Sequence, residues 1–215
     1  LHIDWSYQDQ LIFLPIGISF YTLSAIGYMA DVYWGKVKAE YSLVKTALFL
    51  GFFPVIVEGP ICRWEDVEDT LFKNESVKAE NVFKGCYRII WGLFKKMIIA
   101  DRLAVLVDKV YVGYESYSGA VIVVAAISYT IQLYMEFSGC MDMVIGSAGL
   151  FGIHLPENFS QPFFAKTCTD FWKRWHITLG VWFKNYIFYP VSISKTARKW
   201  NKFTRKHFKG DFGKY

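Results

Sequence analysis

The stretch LIFLPIGISFYTLSAIGYMA, from Leu11 to Ala30, decides the fold class of this chain. It holds 20 residues without a formal charge. At about 1.5 Å per residue, a helix of that length matches the roughly 30 Å hydrocarbon core of a bilayer. Pro15, Gly17 and Gly27 would weaken a helix in water, but membrane helices tolerate such residues. The stretch therefore predicts a transmembrane helix.

The bulk composition points the same way. Of the 215 residues, 53% are hydrophobic and 19% aromatic, and the 16 glycines come in addition to that hydrophobic share. Ordinary soluble domains are about 45–50% apolar with glycine included, and a positive mean hydropathy of +0.22 is rare among them. The surplus apolar surface requires lipid, so the composition indicates an integral membrane protein and argues against a soluble one.

Three further segments complete the predicted architecture. Ser116 to Met135 is a second uncharged stretch long enough to cross, while Cys86 to Val107 has the length but is interrupted by charges. Thr46 to Val57 is too short to cross a bilayer and contains Pro54, which favours a re-entrant or interfacial segment. The sequence thus predicts an all-α, polytopic transmembrane helical bundle with three crossings and re-entrant or interfacial helices.

The basic residues are concentrated near the end of the chain. Between Lys195 and Lys214 there are eight Lys or Arg and one acid, Asp211. A basic segment after apolar spans predicts a cytoplasmic, membrane-proximal location, although a solvated tail fits equally well. We therefore divide the chain into a membrane part, residues 1–190, and a basic loop or tail, residues 191–215. Binding to nucleic acid is not favoured, because the charge is not spread over a folded face.

The four cysteines show no spacing typical of a metal site. They lie far apart, mostly in apolar contexts, and none forms a CxxC pair. The sequence therefore predicts neither a zinc site nor a disulfide scaffold.

A row of basic residues follows a heptad spacing in the interrupted stretch. Arg88 and Lys95 begin this row, and two more bases continue it, Arg102 and Lys109. Seven-residue spacing keeps side chains along one slowly drifting helical face. Two interpretations stay open: the bases snorkel or pair with Asp101 and Asp108, or they line a protein cavity that attracts an anionic acyl donor.

Two carboxylates, Glu136 and Asp142, follow the second uncharged stretch directly. Ionisable groups at membrane depth normally face a protein interior or a wet cavity. Six helical residues correspond to about 600°, so the two carboxylates do not share a face, and Ser138-Gly139 predicts a helix break between them. Capping of two half-helices explains each acid as well as a functional role does.

The most distinctive stretch runs from Thr169 to Tyr186, TDFWKRWHITLGVWFKNY. Helical spacing predicts one aromatic, poorly solvated face, which comprises Trp172, His176, Leu179, Gly180 and Phe183. Desolvation keeps a histidine neutral, and a neutral imidazole accepts a proton from a hydroxyl. A structural histidine bonded to a carbonyl group would show the same pattern.

Six blocks of sequence carry a family resemblance. In order, they are LPIGISFYTL (14–23), FFPVIVEGPI (52–61), GLFKKMIIAD (92–101), YTIQLYMEFSGCMDMVIG (129–146), LPENFSQPF (155–163) and FWKRWHITLGVWFKNYIFYP (171–190). They resemble the bacterial membrane-bound O-acyltransferase family, and the alginate O-acetyltransferase branch is the most similar.

The resemblance implies a multi-pass enzyme of the bacterial inner membrane. Such an enzyme takes an acyl group, usually acetyl, from a cytoplasmic-side donor such as acetyl-CoA or an acyl carrier. It passes that group to a hydroxyl of an exported polysaccharide, with no bound cofactor or metal. Expected partners are membrane lipid, the acyl donor, and a periplasmic or extracellular acetyltransferase or polymer. Transfer of D-alanyl groups to teichoic acid is the alternative within this chemistry, and a transporter or channel is the alternative outside it.

The resemblance also implies roles for single residues. His176 matches the first of two family histidines and is expected to orient or deprotonate the acceptor hydroxyl. The second histidine, usually regarded as the base in the family, lies in a later Trp-His-Gly block, so we expect this chain to be the central portion of a longer protein. The other expected catalytic residues are Asn185, which would stabilise negative charge on the carbonyl oxygen, and Asp142. The expected substrate-binding or donor-binding residues are Arg88, Lys95, Trp172, Trp175 and Glu136.

Overall fold

The computed structural model describes residues 17–73 and 77–207, with side chains up to residue 204. This part of the chain is helical and contains no β-strand, only one isolated bridge, so the predicted all-α class is confirmed. The helices are α1 Ile18–Tyr33, α2 Leu43–Leu50, α3 Phe53–Ile56, α4 Trp64–Leu71, α5 Ala79–Leu93, α6 Asp101–Val112, α7 Gly119–Leu150, α8 Cys168–Arg174, α9 Ile177–Phe183, α10 Tyr189–Ile193 and α11 Lys195–His207.

Two long helical rods dominate the fold. A π-helical segment, Phe94–Ala100, joins α5 to α6 without interruption, so these three pieces form one rod. A 3₁₀ turn then leads into α7, a single helix of 32 residues that packs against this rod. Segments of π-helix occur frequently at functional sites, and this one contains Lys95 and Lys96.

Four glycines set the distance between the two rods. Gly92 meets Gly139, and Gly85 meets Gly146, so the partners are seven residues apart on each helix and the helices run antiparallel. A Cβ built on Gly92 would lie 2.5 Å from the Gly139 carbonyl oxygen, and one on Gly85 would lie 2.7 Å from that of Gly146. Small residues let membrane helices approach this closely, so α5 and α7 touch backbone to backbone.

We expect Gly92→Ala to destabilise the protein by about 1–3 kcal/mol, because the methyl group collides with backbone that has nowhere to move. Gly149→Ala is the matched control on the partner helix, since a Cβ there meets no heavy atom within 4 Å and alanine favours a helix more than glycine does. The readout is the thermal unfolding midpoint in detergent. Equal midpoints for the two variants would show that the close contact between Gly92 and Gly139 does not restrict the size of the residue at position 92.

A cluster of apolar side chains joins the short helices to the end of α7. The rings of Tyr28 and Trp64 lie 4.8 Å apart, and Phe49 packs on Trp64 at 5.2 Å. From α7, Ile145 and Ala148 contribute to the same buried cluster. This core fixes α2 and α4 against the rods.

The predicted membrane spans have different outcomes. One helix among the described residues, α7, is long and apolar enough to cross a membrane, and it contains nearly all of the predicted Ser116 to Met135 span. The first six residues of the Leu11 to Ala30 span lie outside the described residues, Gly17 caps α1, and Ile18 to Ala30 belong to α1. The predicted break at Ser138-Gly139 is wrong, because α7 runs through it without interruption. Gly139 serves close packing on Gly92 instead.

The remaining two segments are the short stretch Thr46 to Val57 and the basic helix α11. Thr46 to Val57 is divided between α2 and α3 at Gly51 and Phe52, so neither piece could cross a membrane. Helix α11 carries Lys and Arg without an acid, and most of its described side chains are exposed. The number of crossings and the boundary at residue 190 stay predictions.

Candidate functional site

The helical face predicted around His176 is interrupted. Helix α8 ends at Arg174, Trp175 is extended, and His176 adopts a left-handed backbone with φ 46° before α9 begins. The prediction of one continuous face, from Trp172 to Phe183, is therefore wrong. The physical reason is a competing pairing: the Ser160 N–H donates to the Arg174 carbonyl at 3.0 Å, and the Ile177 N–H donates to the Asn158 carbonyl at 3.0 Å.

This break presents the His176 ring to the interior. Its Nδ1 lies 3.3 Å from Oδ1 of Asn158, and the ring meets Phe137 edge to face at 4.9 Å between centroids. The residue lies outside α7 and is half-buried, and this burial lowers the pKa of His176 below its ordinary value. The lowered pKa favours the neutral imidazole, which is the form that a general base requires. A left-handed conformation is uncommon for a residue other than glycine and concentrates at functional sites.

The residue at the centre of this site is Asn158, which the sequence analysis did not single out. It is fully buried. Its Oδ1 accepts hydrogen bonds from the backbone N–H of Thr178 at 3.1 Å and from the Thr178 hydroxyl at 2.7 Å. Its amide nitrogen lies 3.0 Å from the Met141 sulfur on α7. Asn158 thus connects its loop, the His176 break and α7.

Aromatic rings wall the site on one side. The Trp175 ring packs on several others, which are Tyr134, Phe159, Phe163 and Phe171. Trp172, in contrast, is 65% exposed and contacts Phe171. Trp175 therefore has a packing role that the sequence did not reveal, and binding of substrate by either tryptophan stays a prediction.

The charged candidates form one connected network beside the site. Asp142 accepts a hydrogen bond from Nε of Arg88 at 3.0 Å and one from Nζ of Lys95 at 2.6 Å. Arg88 also holds Glu157 with two bonds of 2.7 and 2.6 Å. For Arg88 and Lys95, the interpretation that the bases pair with Asp101 and Asp108 is wrong, because both bind Asp142 on α7. The network ties α5 and α7 to the residue next to Asn158.

Glu136 belongs to a second group of charges. Its carboxylate accepts a hydrogen bond from Lys96 at 2.7 Å, and Lys96 also reaches Asp101 at 2.8 Å. Glu136 and Asp142 thus bind adjacent lysines of one π-helical segment, and their separation around the helix stays a prediction. Each base in these groups lies beside a carboxylate, which offsets its attraction for an anionic donor. Donor binding by Arg88 and Lys95 stays a prediction.

Asn185 lies elsewhere, in a second π-helical segment, Lys184–Phe188. It lines a cavity of about 450 Å³ together with Trp34 and Tyr189. Next to this cavity is Asp31, a buried acid that the sequence analysis missed. It accepts a hydrogen bond from the Tyr186 hydroxyl and pairs with Lys36 at 3.2 Å. The role of Asn185 at a carbonyl oxygen stays a prediction.

Comparison with known proteins identifies relatives whose names all describe the transfer of an acetyl or D-alanyl group. The model of the membrane-bound O-acyltransferase family matches residues 36–205. The protein named probable alginate O-acetylase AlgI of Pseudomonas aeruginosa is 40% identical over 177 residues, which cover 82% of this chain and 34% of that protein. The peptidoglycan O-acetyltransferase of Helicobacter pylori is 34% identical over 86% of the chain and 40% of its own length.

A third relative is the teichoic acid D-alanyltransferase of Bacillus subtilis, which is 30% identical over 87% of this chain and 48% of its own length. The chain spans about a third of the length of the alginate O-acetylases that it matches. The family model, however, covers well over half of the chain. The chain therefore belongs to the membrane-bound O-acyltransferase family.

Proposed function

We propose that the full-length protein is a multi-pass enzyme of the bacterial inner membrane that transfers an acetyl group to a hydroxyl of an exported polysaccharide. The observation that carries this proposal is the placement of His176. A half-buried imidazole, with its pKa lowered by burial, stands at a helix break in an aromatic surround. The family match includes this position. The choice of acetyl as the acyl group and of a polysaccharide as the acceptor rests on the names of the O-acetylase relatives.

In the proposed reaction, His176 takes the proton of the acceptor hydroxyl as its oxygen attacks the acyl carbonyl carbon. The bond between the acyl group and the donor's leaving atom breaks, an ester bond to the polymer forms, and the proton goes to the leaving group. General-base catalysis of this kind contributes about 10²–10⁴-fold in rate. The donor, acetyl-CoA or an acyl carrier, approaches from the cytoplasmic side and is a substrate, not a resident cofactor.

Transfer of D-alanyl groups to teichoic acid is the second candidate, because the Bacillus subtilis relative has that name. Its identity to this chain is 30%, which is lower than the 40% of the alginate O-acetylase and the 34% of the peptidoglycan O-acetyltransferase. We therefore rank acetyl transfer to a polysaccharide first.

The test is an acyl-transfer assay with the full-length protein in proteoliposomes. Labelled acetyl or D-alanyl donor is supplied on the cytoplasmic side, and alginate, peptidoglycan or teichoic acid on the other. We expect an alkali-labile acetyl ester on alginate or peptidoglycan. A D-alanyl ester on teichoic acid would select the second candidate, and no ester above that of empty liposomes with any pair would refute both.

A further inference from the structure

The orientation of the Asn158 side chain is fixed by a donor that cannot change its role. The backbone N–H of Thr178 lies 3.1 Å from one terminal atom of the Asn158 amide. A backbone N–H only donates, so this atom must be the oxygen. The amide NH₂ group then points to the Met141 sulfur, a weak acceptor at 3.0 Å. Each of the two contacts places the amide oxygen on the Thr178 side and the NH₂ group on the Met141 side.

A second backbone donor fixes the Thr178 hydroxyl. The Ile61 N–H donates to Oγ1 of Thr178 at 3.1 Å, which leaves the hydroxyl proton free to point elsewhere. It points at Oδ1 of Asn158, which lies at 2.7 Å. Both bonds are buried, so water does not compete for these groups. Two main-chain N–H groups, from residues 61 and 178, therefore determine that Asn158 offers an oxygen to its surroundings.

His176 faces that same oxygen, with Nδ1 at 3.3 Å. A carbonyl oxygen accepts hydrogen bonds and cannot donate, so a bond with Nδ1 requires the proton to be on Nδ1. We propose that Asn158 is a positioning residue that holds neutral His176 as the Nδ1–H tautomer and leaves the Nε2 lone pair for the acceptor hydroxyl. The tautomer follows from the contacts alone, whereas its catalytic consequence rests on the proposed function.

The break between α8 and α9 supports this arrangement. Left-handed geometry at His176 and the bond from the Ile177 N–H to the Asn158 carbonyl place the two residues side by side. Because Oδ1 already accepts two bonds from Thr178, the bond from His176 is the third and the longest. This bond selects the tautomer without holding the ring rigidly. Of the three bonds to Oδ1, it is the one that we expect a substitution at residue 158 to weaken most.

The direct test is nitrogen NMR of the full-length protein in nanodiscs, with histidine labelled by ¹⁵N and the signals of His176 identified by their loss in His176→Gln. We expect the neutral ring to show a protonated Nδ1 and an unprotonated Nε2. An Nε2–H tautomer in the wild-type protein would overturn the proposal, and this measurement needs no variant at residue 158.

Two variants test the coupling. Asn158→Asp keeps an acceptor but adds negative charge, so we expect the pKa of His176 to rise, and the acid limb of kcat/KM to move up by roughly one pH unit. Asn158→Leu removes the acceptor, and we expect loss of the Nδ1–H preference and a tenfold or greater fall in kcat. Thr178→Ser is the matched control, since it keeps both the backbone N–H and the hydroxyl that orient Asn158 and should keep the tautomer.

The outcomes separate this inference from the proposed function. If Asn158→Asp folds and leaves the titration of His176 unchanged, the positioning role is refuted. If the tautomer and the titration behave as expected but loss of the His176 ring leaves turnover unchanged, the positioning stands and the general-base assignment fails.

Discussion

Replacing His176 by Asn in the full-length protein is expected to lower kcat for acyl transfer by about 10²–10⁴-fold. Asparagine adopts left-handed backbone more readily than most residues, so the break between α8 and α9 is retained while the proton acceptor is lost. The acid limb of the pH profile should vanish with it. In the wild-type protein we expect that limb below the ordinary histidine value of about 6.5, because burial lowers the pKa of His176 and the proposed base must be neutral.

His154→Asn is the control for this experiment. His154 is exposed, follows α7 in a loop, and makes its hydrogen bond to Thr70 through the backbone. The same chemical change there should leave kcat within about twofold of the wild-type value, since the ring takes no part in proton transfer. If His176→Asn also retains turnover to within a few-fold, His176 is not the base.

Replacing Asp142 by Asn is expected to reduce stability by about 3–5 kcal/mol, because two cations then lose their shared, largely but not fully buried carboxylate. The side chains of Lys95 and Asp142 are 14% and 13% exposed, so water compensates little. The additional change Lys95→Met removes one unpaired charge and should restore part of the loss. The measurement is the unfolding free energy or the thermal midpoint in detergent.

Glu80→Gln provides the matched comparison on α5. Its pair with Lys84 has the same carboxylate–ammonium chemistry, but both side chains are over 70% exposed. Exposed pairs contribute little to stability, so we expect no measurable shift in the midpoint. Equal midpoints for the Asp142 and Glu80 variants would show that the network around Asp142 is as well solvated as a surface pair.

The sequence predicted the helices well where a local property determines them. Uncharged length predicted α7, and the brevity of Thr46 to Val57 predicted that this segment does not cross. Ser138-Gly139 predicts a break because glycine weakens an isolated helix. Its actual role depends on Gly92, 47 residues earlier in the chain. A property of two facing helices cannot be read from either one alone.

The candidate site was predictable at His176 and not around it. The sequence predicted an aromatic face from Trp172 to Phe183 around His176, but the ring contacts Phe137 of α7 instead. Helical periodicity could not foresee the break, since pairing with residues 158–160 competes with the helix. Asn158 gave no signal beyond its place in a family-like block, because a buried amide acquires its role from the donors that surround it. Likewise, Asp142 and Arg88 are paired across 54 residues, which spacing within one segment cannot reveal.

The π-helical segment Phe94–Ala100 interrupts the regular helix on which the interpretation of the seven-residue spacing of the bases depends. A wide turn of this type holds one residue more than an α-helical turn, and it thereby rotates everything beyond it by about 100° around the rod. Lys95 and Lys96 sit inside the wide turn and both face α7, where they bind Asp142 and Glu136. Deleting one residue from this segment would restore ordinary winding and turn α6 out of phase with α7. The number of residues in this segment therefore determines which face of α6 meets α7, whatever side chains the segment carries.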